Sequence, residues 1–244
     1  MFDFCIKIAD VVVEIKSEYY GIVHACRDFI VTEQPDFSIV TSQEDFDVVA
    51  NESTSGLSRL QLCDVYLEIT ACLKKISDLI VDYDTFMMHG AVIAMNNEAY
   101  MFTGKSGTGK TTHIKKWLDN IPEAFVVNGD KPFIRTNIWK DAPLVCGSPW
   151  AGKENLYTNT MVPIKAIVIM NRSNENRIRE ISYNEAFFTL LQQVHRPNDE
   201  KHMRQTIKLL QRLKSSVSFW DFQFNNQKED CFQVAYDALV GGQT

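Results

Sequence analysis

The sequence predicts a mixed α/β protein centred on a phosphate-binding loop, and three observations carry that reading. Gly104-Lys105-Ser106-Gly107-Thr108-Gly109-Lys110-Thr111 fits the pattern G-x-x-x-x-G-K-[ST]. Residues 99–103 before the loop read as a strand and residues 112–118 after it as a helix, the setting that this motif requires. Strand-like and helix-like segments alternate along 244 residues that are 45% hydrophobic, enough chain and apolar content for a proper core.

In chain order, residues 2–15 are rich in Val, Ile and Phe and predict one long strand or a hairpin about Ala9-Asp10, with residues 37–41 a second extended stretch. Residues 51–56 are polar and end in Gly, the best place for a linker. Beyond Leu57, the residues Leu62, Tyr66, Ile69, Leu73, Ile76 and Ile80 recur at steps of four and three, which predicts a helix to about Val81 with one stripe packed on a core. Residues 90–95 and 99–103 are separated only by Asn96-Asn97-Glu98, too short for a helical crossover, so the strand feeding the loop is one arm of an antiparallel hairpin.

Residues 124–127 and 132–135 are extended on either side of Asn128-Gly129-Asp130-Lys131, and residues 162–170 form a buried strand. Helices are predicted over 184–194 and 199–213, parted by His195-Arg196-Pro197. Residues 217–224 alternate as a strand, and a helix over 228–240 closes the chain with Cys231, Val234, Ala235 and Leu239 on one side.

The loop's chemistry follows from its residue types. Glycines let successive N–H groups face one concavity, the Lys110 ammonium reaches β/γ-phosphates, and the Thr111 hydroxyl can ligate Mg²⁺. Gly104, Lys105, Ser106, Gly107, Thr108, Gly109, Lys110, Thr111 and Thr112 are therefore expected to hold a nucleotide.

Charge is uneven. The net value is −6, yet residues 1–88 carry 16 acidic against 6 basic side chains and residues 89–244 carry 15 against 19. A basic part holding a phosphate loop suits an anionic nucleotide, and the acidic part argues against a nucleic-acid groove across the whole molecule. No apolar run approaches a membrane span, and the first ten residues lack a signal peptide's basic start and apolar core, so a cytoplasmic protein is expected. The six cysteines show no C-x-x-C pair, and reduced, mostly buried thiols are expected rather than disulfides or zinc.

Met88-His89-Gly90-Ala91, the loop Gly104 to Thr111, the stretch Val127-Asn128-Gly129-Asp130-Lys131-Pro132 and the segment Gly147-Ser148-Pro149-Trp150-Ala151-Gly152-Lys153-Glu154 together resemble the HPr kinase/phosphorylase-related branch of the phosphoenolpyruvate-carboxykinase-like superfamily. The resemblance spans residues 89–223, and its Pro-Trp-x-Gly-Lys segment is typical of poorly characterised bacterial relatives. It implies a phosphoenolpyruvate-carboxykinase-like P-loop kinase core with a mixed central sheet in residues 86–244, behind a smaller N-terminal α/β region in residues 1–85 that is an expected acceptor or partner domain. It further implies ATP and Mg²⁺ as cofactors and a hydroxyl as acceptor, without implying HPr. Where HPr kinase carries two adjacent aspartates this chain has Gly129-Asp130, so only the second is kept and phosphorolysis is not part of the expectation.

Asp130 is the candidate Mg²⁺ ligand or the base for the acceptor's hydroxyl proton, although Asp beside Gly is also ordinary turn chemistry. Lys131 is its solvated neighbour or a substrate contact. His89 matches the family's His-Gly pair and is a candidate catalytic group, with a packing histidine as the alternative. Lys153 is a candidate second cation on the transferring phosphoryl group or part of a plain surface loop. Trp150 offers a flat face for substrate or for packing, with Glu154 in the same loop, and His195-Arg196 is an interhelical turn whose basic pair could meet an anionic acceptor.

The expected protein is thus a Mg-ATP-dependent kinase acting on a hydroxyl of a small molecule, peptide or protein, with Asp130, Lys110, His89 and Lys153 catalytic and Thr111 and Asp130 on the metal. Its partners are a nucleotide and that acceptor, with neither nucleic acid nor membrane, and a homo-oligomer fits. Two other readings keep the loop: a regulatory module that binds nucleotide without transfer, suggested by the missing first aspartate, and a plain nucleoside-triphosphatase.

Overall fold

Two β-hairpins, each turned by a pair of residues with positive φ, lie one in each of the two sheets of the chain. The computed structural model describes residues 1–52, 59–136 and 142–241. In the first hairpin β1 (Phe2–Ile8) and β2 (Val11–Ser17) pair antiparallel through Ala9-Asp10, at φ 52° and 58°. Such a type I′ turn matches the right-handed twist of its strands. The edges are β3 (Ile30–Val31), antiparallel to β1, and β4 (Phe37–Val40), parallel to β2.

Helices α1 (Tyr20–Ala25), α2 (Gln43–Glu52) and α3 (Asp64–Leu79) accompany this sheet. The stripe on α3 is rotated from the sequence expectation. Ile69, Leu73, Ile76 and the following Ile80 do turn inward, but Leu67 and Ala71 join them beneath Phe46 and Val49 of α2, and Tyr66 is 51% exposed. Contact with α2 sets that rotation, which the periodicity of α3 alone could not show. The linker expected at 51–56 begins as the last turn of α2, and its residues 53–56 lie outside the described residues.

The second sheet runs from β5 (Thr85–Met87) through β6 (Ala91–Met95), β7 (Glu98–Thr103), β8 (Phe125–Asn128), β9 (Phe133–Arg135), β10 (Leu144–Cys146), β11 (Met161–Arg172) and β12 (Arg177–Ile181) to β13 (Ser218–Phe224). The helices between and after them are α4 (Lys110–Asn120), α5 (Tyr183–Gln193), α6 (Glu200–Arg212) and α7 (Cys231–Leu239). Spatial order is β5-β9-β10-β11-β7-β6-β8, with β13 also on β11 and β12 beyond it. The expected hairpin is present: β6 and β7 are antiparallel around Asn96-Asn97, at φ 50° and 59°. On its other side β7 is parallel to β11, and β11 is parallel to β13. Strands β5, β10 and β12 were not expected from the sequence, the first two because three residues establish no period and β12 because its two apolar residues, Ile178 and Ile181, stand three apart among charged ones and make no period of two.

Alternation along these strands fills both faces. Val92, Ala94, Met101 and Ile167 pack with Leu190 and Leu209 of α5 and α6, while Ile93, Tyr100, Phe102 and Val168 pack with Ile114, Trp117, Ala235 and Leu239 of α4 and α7. The sheet is therefore a middle layer with helices on both sides. A further core joins Ile6, Ile15, Phe29, Leu73 and Ile76 of the first 80 residues to Phe133 and Cys146 of the second sheet and to Trp150 in the loop after β10. All six cysteines are free thiols, four of them buried and Cys63 exposed. Among the described residues no helix is long and apolar enough to cross a membrane.

Candidate functional site

The loop from Gly104 to Gly109 leaves β7 and enters α4 at Lys110. Gly104 and Gly109 have φ of 140° and 112°, a region that L side chains rarely adopt, and a Cβ at Gly104 would lie 2.8 Å from the Met170 carbonyl oxygen. The Lys110 ammonium is buried against the loop, donating to the carbonyls of Gly104 at 3.0 Å and Lys105 at 3.1 Å. Burial pushes its pKa below the ordinary lysine value, and the Asp130 carboxylate opposes that shift.

Asp130 is set by a second turn. Asn128 at the end of β8 is fully buried, and its Oδ1 accepts from the backbone N–H groups of Asp130 at 2.9 Å and Lys131 at 2.7 Å. Its amide nitrogen donates to both oxygens of Ser148, whose hydroxyl in turn donates to the Lys131 carbonyl at 2.7 Å. The Gly90 N–H donates to the Asp130 carbonyl at 2.9 Å, which brings His89 alongside.

His89 Nε2 stands 3.2 Å from Asp130 Oδ1, and Lys131 Nζ lies 2.8 Å from Asp130 Oδ2. Burial works against ionisation of Asp130, but the hydrogen bond from His89 and the charge of Lys131 prevail and draw its pKa down to about 2. On the far side of the imidazole, Nδ1 lies 3.1 Å from Gln193 Oε1, and the His89 N–H donates to the Gln193 carbonyl at 2.8 Å.

A cavity of about 350 Å³ joins the two turns, with His89, Gly129 and Asp130 on one wall and Ser106, Gly107, Gly109, Lys110, Thr111 and Thr112 on the other. Of the remaining loop residues, Gly104 and Thr108 are buried, and exposed Lys105 lines the neighbouring cavity. Lys153 is exposed and does not line this space, although a Cβ on the adjacent Gly152 would lie 3.0 Å from Asp130 Cβ. Glu154 pairs with Lys115 of α4 at 2.8 Å. Trp150 is 7% exposed, packed on Phe133 and hydrogen-bonded to Ile69, so its ring is structural. His195 pairs with Asp78 at 2.6 Å, which makes that turn a packing contact with α3.

Two residues at the site, Arg172 and Gln193, were not singled out from the sequence, and Asn128 entered only as part of the turn and motif before Asp130. Arg172 closes β11 and donates to the Gly107 carbonyl at 2.6 Å and the Thr108 carbonyl at 3.2 Å, placing a guanidinium at the loop's rim and on the cavity wall. Its signal was a cation ending an apolar strand, legible once that strand is known to flank the loop strand. Gln193 gave no comparable signal, whereas Asn128 stands at the head of an Asn-Gly turn, where its side-chain oxygen is placed to accept from the N–H groups that follow. Among the described residues no three His, Cys, Asp or Glu side chains gather as a metal site.

No protein-family model and no curated protein matches this chain. Among solved structures it is similar to the Hpr(Ser) kinase/phosphatase from Coxiella burnetii, with a TM-score of 0.38 and 9% identity over 65% of this chain and 99% of that one.

Proposed function

We propose that this chain binds a Mg-nucleoside triphosphate on the loop Gly104 to Thr111 and transfers its γ-phosphoryl group to a hydroxyl acceptor. The observation that carries this reading is the confrontation, across one cavity, of Lys110, Thr111 and Arg172 with His89 and the ionised Asp130, whose carboxylate is also paired with Lys131. The motif resemblance of residues 89–223 supports ATP as donor.

The donor set suits a magnesium nucleotide. Backbone N–H groups of the loop and the α4 N-terminus face anionic oxygens, and Lys110 and Arg172 add cations. Thr111 and Asp130 are the groups that would hold Mg²⁺, which keeps most of its other ligands from phosphates and water. When bound, the ion would neutralise charge developing on the β- and γ-oxygens. With a pKa near 2, Asp130 serves better as a fixed negative charge than as a proton acceptor at neutral pH, and His89 is the nearer candidate to orient the acceptor hydroxyl. Lys131 restrains the carboxylate on its other oxygen.

One observation favours the nucleotide-binding module as the second reading. A Cβ at Gly129 would lie 3.0 Å from the Ala151 carbonyl oxygen and 3.3 Å from that of Leu156, so a side chain there, such as a first aspartate, meets backbone. Incubation with γ-labelled ATP and a cell extract separates the readings. Label on an acceptor supports transfer, free phosphate alone supports hydrolysis, and binding without turnover supports the module.

A further inference from the structure

The carboxyl ends of three parallel strands, β7, β11 and β13, lie side by side, with Ile169 opposite Thr103 and Arg172 opposite Phe224. In open α/β sheets, ligands bind in the crevice outside such ends. The phosphate loop leaves the first strand, Arg172 ends the second with Ser173 and Asn174 after it, and Asn225 to Gln227 follow the third. The last two segments enclose a second cavity, of about 370 Å³, with Arg172 on the wall shared with the loop cavity.

Four features suit this cavity to the uncharged end of a nucleotide. It abuts the loop, since a Cβ at Gly109 would lie 2.6 Å from Asn226 Nδ2, and Lys116 of α4 donates to the Asn226 carbonyl at 3.0 Å. It shares Arg172 with the cavity that holds His89 and Asp130, so phosphates anchored at Lys110 with their γ end toward Asp130 leave the nucleoside end for the Arg172 side. Arg172 is the one charged residue on its wall among the described residues, so no carboxylate repels a nucleotide there. Finally, the amides of Asn174 and Gln227 make no side-chain hydrogen bond within the described residues, whereas Asn225 and Asn176 fix the surrounding loop: Asn225 Oδ1 accepts from the Gln227 N–H at 3.0 Å and Asn176 Oδ1 from the Asn225 N–H at 2.6 Å. Amide groups offer a donor and an acceptor together, the complement of a purine edge.

We infer that this cavity is the nucleoside subsite, taking the base and ribose of the bound triphosphate through Asn174 and Gln227. The inference rests on the phosphate-loop reading, and inorganic tripolyphosphate separates the two because it fills the loop and lacks a nucleoside. Calorimetry with Mg-ATP and with Mg-tripolyphosphate should show tighter binding of ATP to the parent. In the double variant Asn174→Ala/Gln227→Ala, ATP affinity should fall about tenfold while tripolyphosphate affinity holds within twofold. Photolabelling of the parent with 8-azido-ATP should modify residues 173–176 or 225–228. Equal losses for both ligands, or a label placed elsewhere, would overturn the subsite and leave the phosphate loop standing. Failure of the parent to bind either ligand would overturn both.

Discussion

The indole N–H of Trp150 donates to the Ile69 carbonyl of α3 at 2.9 Å, joining a helix of the first 80 residues to the loop that passes beside Asp130. The same ring meets Phe133 at a centroid distance of 6.5 Å, and Trp150 lies in the core shared with Leu73 and Ile76. Trp150→Phe keeps an aromatic ring but loses the bond and some buried volume, with an expected cost of about 1–3 kcal/mol, whereas Trp150→Ala should cost roughly 3–5 kcal/mol. Urea unfolding measures both. By the same reasoning a chain beginning near Tyr83 exposes Phe133, Cys146 and Trp150 and should not fold cooperatively. A truncated chain with native-like stability would show that the two regions are separable.

Lys110 tests the nucleotide assignment. Lys110→Met keeps the buried stem and removes the ammonium, so the rise in Tm on adding Mg-ATP should vanish. In the parent that rise corresponds to about 2.7 kcal/mol at a hundredfold excess over Kd. The same shift in both proteins would remove the loop from the mechanism.

Asp130 has a pH signature. Its pKa falls from 3.8 in the unfolded chain to about 2 in the fold, so its charge contributes stability above pH 4 that is lost as pH drops toward 2. With the side chain 27% exposed, the contribution is about 2 kcal/mol. Asp130→Asn should therefore be less stable than the parent at pH 7 by roughly that amount, with the difference closing near pH 2. Phosphoryl transfer should fall by about a hundredfold or more while nucleotide affinity changes much less. A pH-independent difference in stability would mean that neither His89 nor Lys131 holds the carboxylate as described.

Asn128 should act on activity through Asp130. Asn128→Ala leaves two turn N–H groups and the Ser148 oxygens without their partner, an expected cost of roughly 1–3 kcal/mol. Its kcat should fall as well, because the turn that places Asp130 loses its acceptor, and Asn128→Asp should not rescue stability, since it keeps that acceptor but turns a buried anion toward the Ser148 carbonyl. A lowered Tm with unchanged kcat would make Asn128 purely structural.

What could be read from the sequence was local. Asn96-Asn97 announces a tight hairpin because Asn tolerates positive φ, and the spacing of Gly104, Gly109, Lys110 and Thr111 announces a phosphate cradle because every group involved lies within one turn and the start of one helix. The rest depends on strand order. Arg172 reaches the loop only because β11 settles beside β7. Gln193 reaches His89 across 104 positions, and Trp150 could be packing or substrate surface until Ile69, 81 residues away, supplied its hydrogen bond. The rotation of α3 and the burial of Glu68 beneath Thr41 are equally non-local, because neighbouring elements decide which face of a helix is covered.

The proposed division of labour, in which the acidic first region positions the acceptor, can be tested on exposed carboxylates without disturbing the core. Asp3, Glu18 and Glu44 are exposed and form no ion pair among the described residues. Asp3→Lys and Glu18→Lys reverse two charges. Glu44 sits in the first turn of α2, where a cation would oppose the helix dipole, so Glu44→Gln is the milder change. Such surface substitutions should move stability by about 0.5 kcal/mol or less each. Charges at a docking rim act mainly on encounter and its salt dependence. With an acceptor identified by the labelling experiment, the triple variant should change KM for that acceptor several-fold, with the difference shrinking at high ionic strength, and leave KM for ATP within about twofold. The reverse pattern, an altered KM for ATP with an unaltered acceptor, would place nucleotide recognition in the first region.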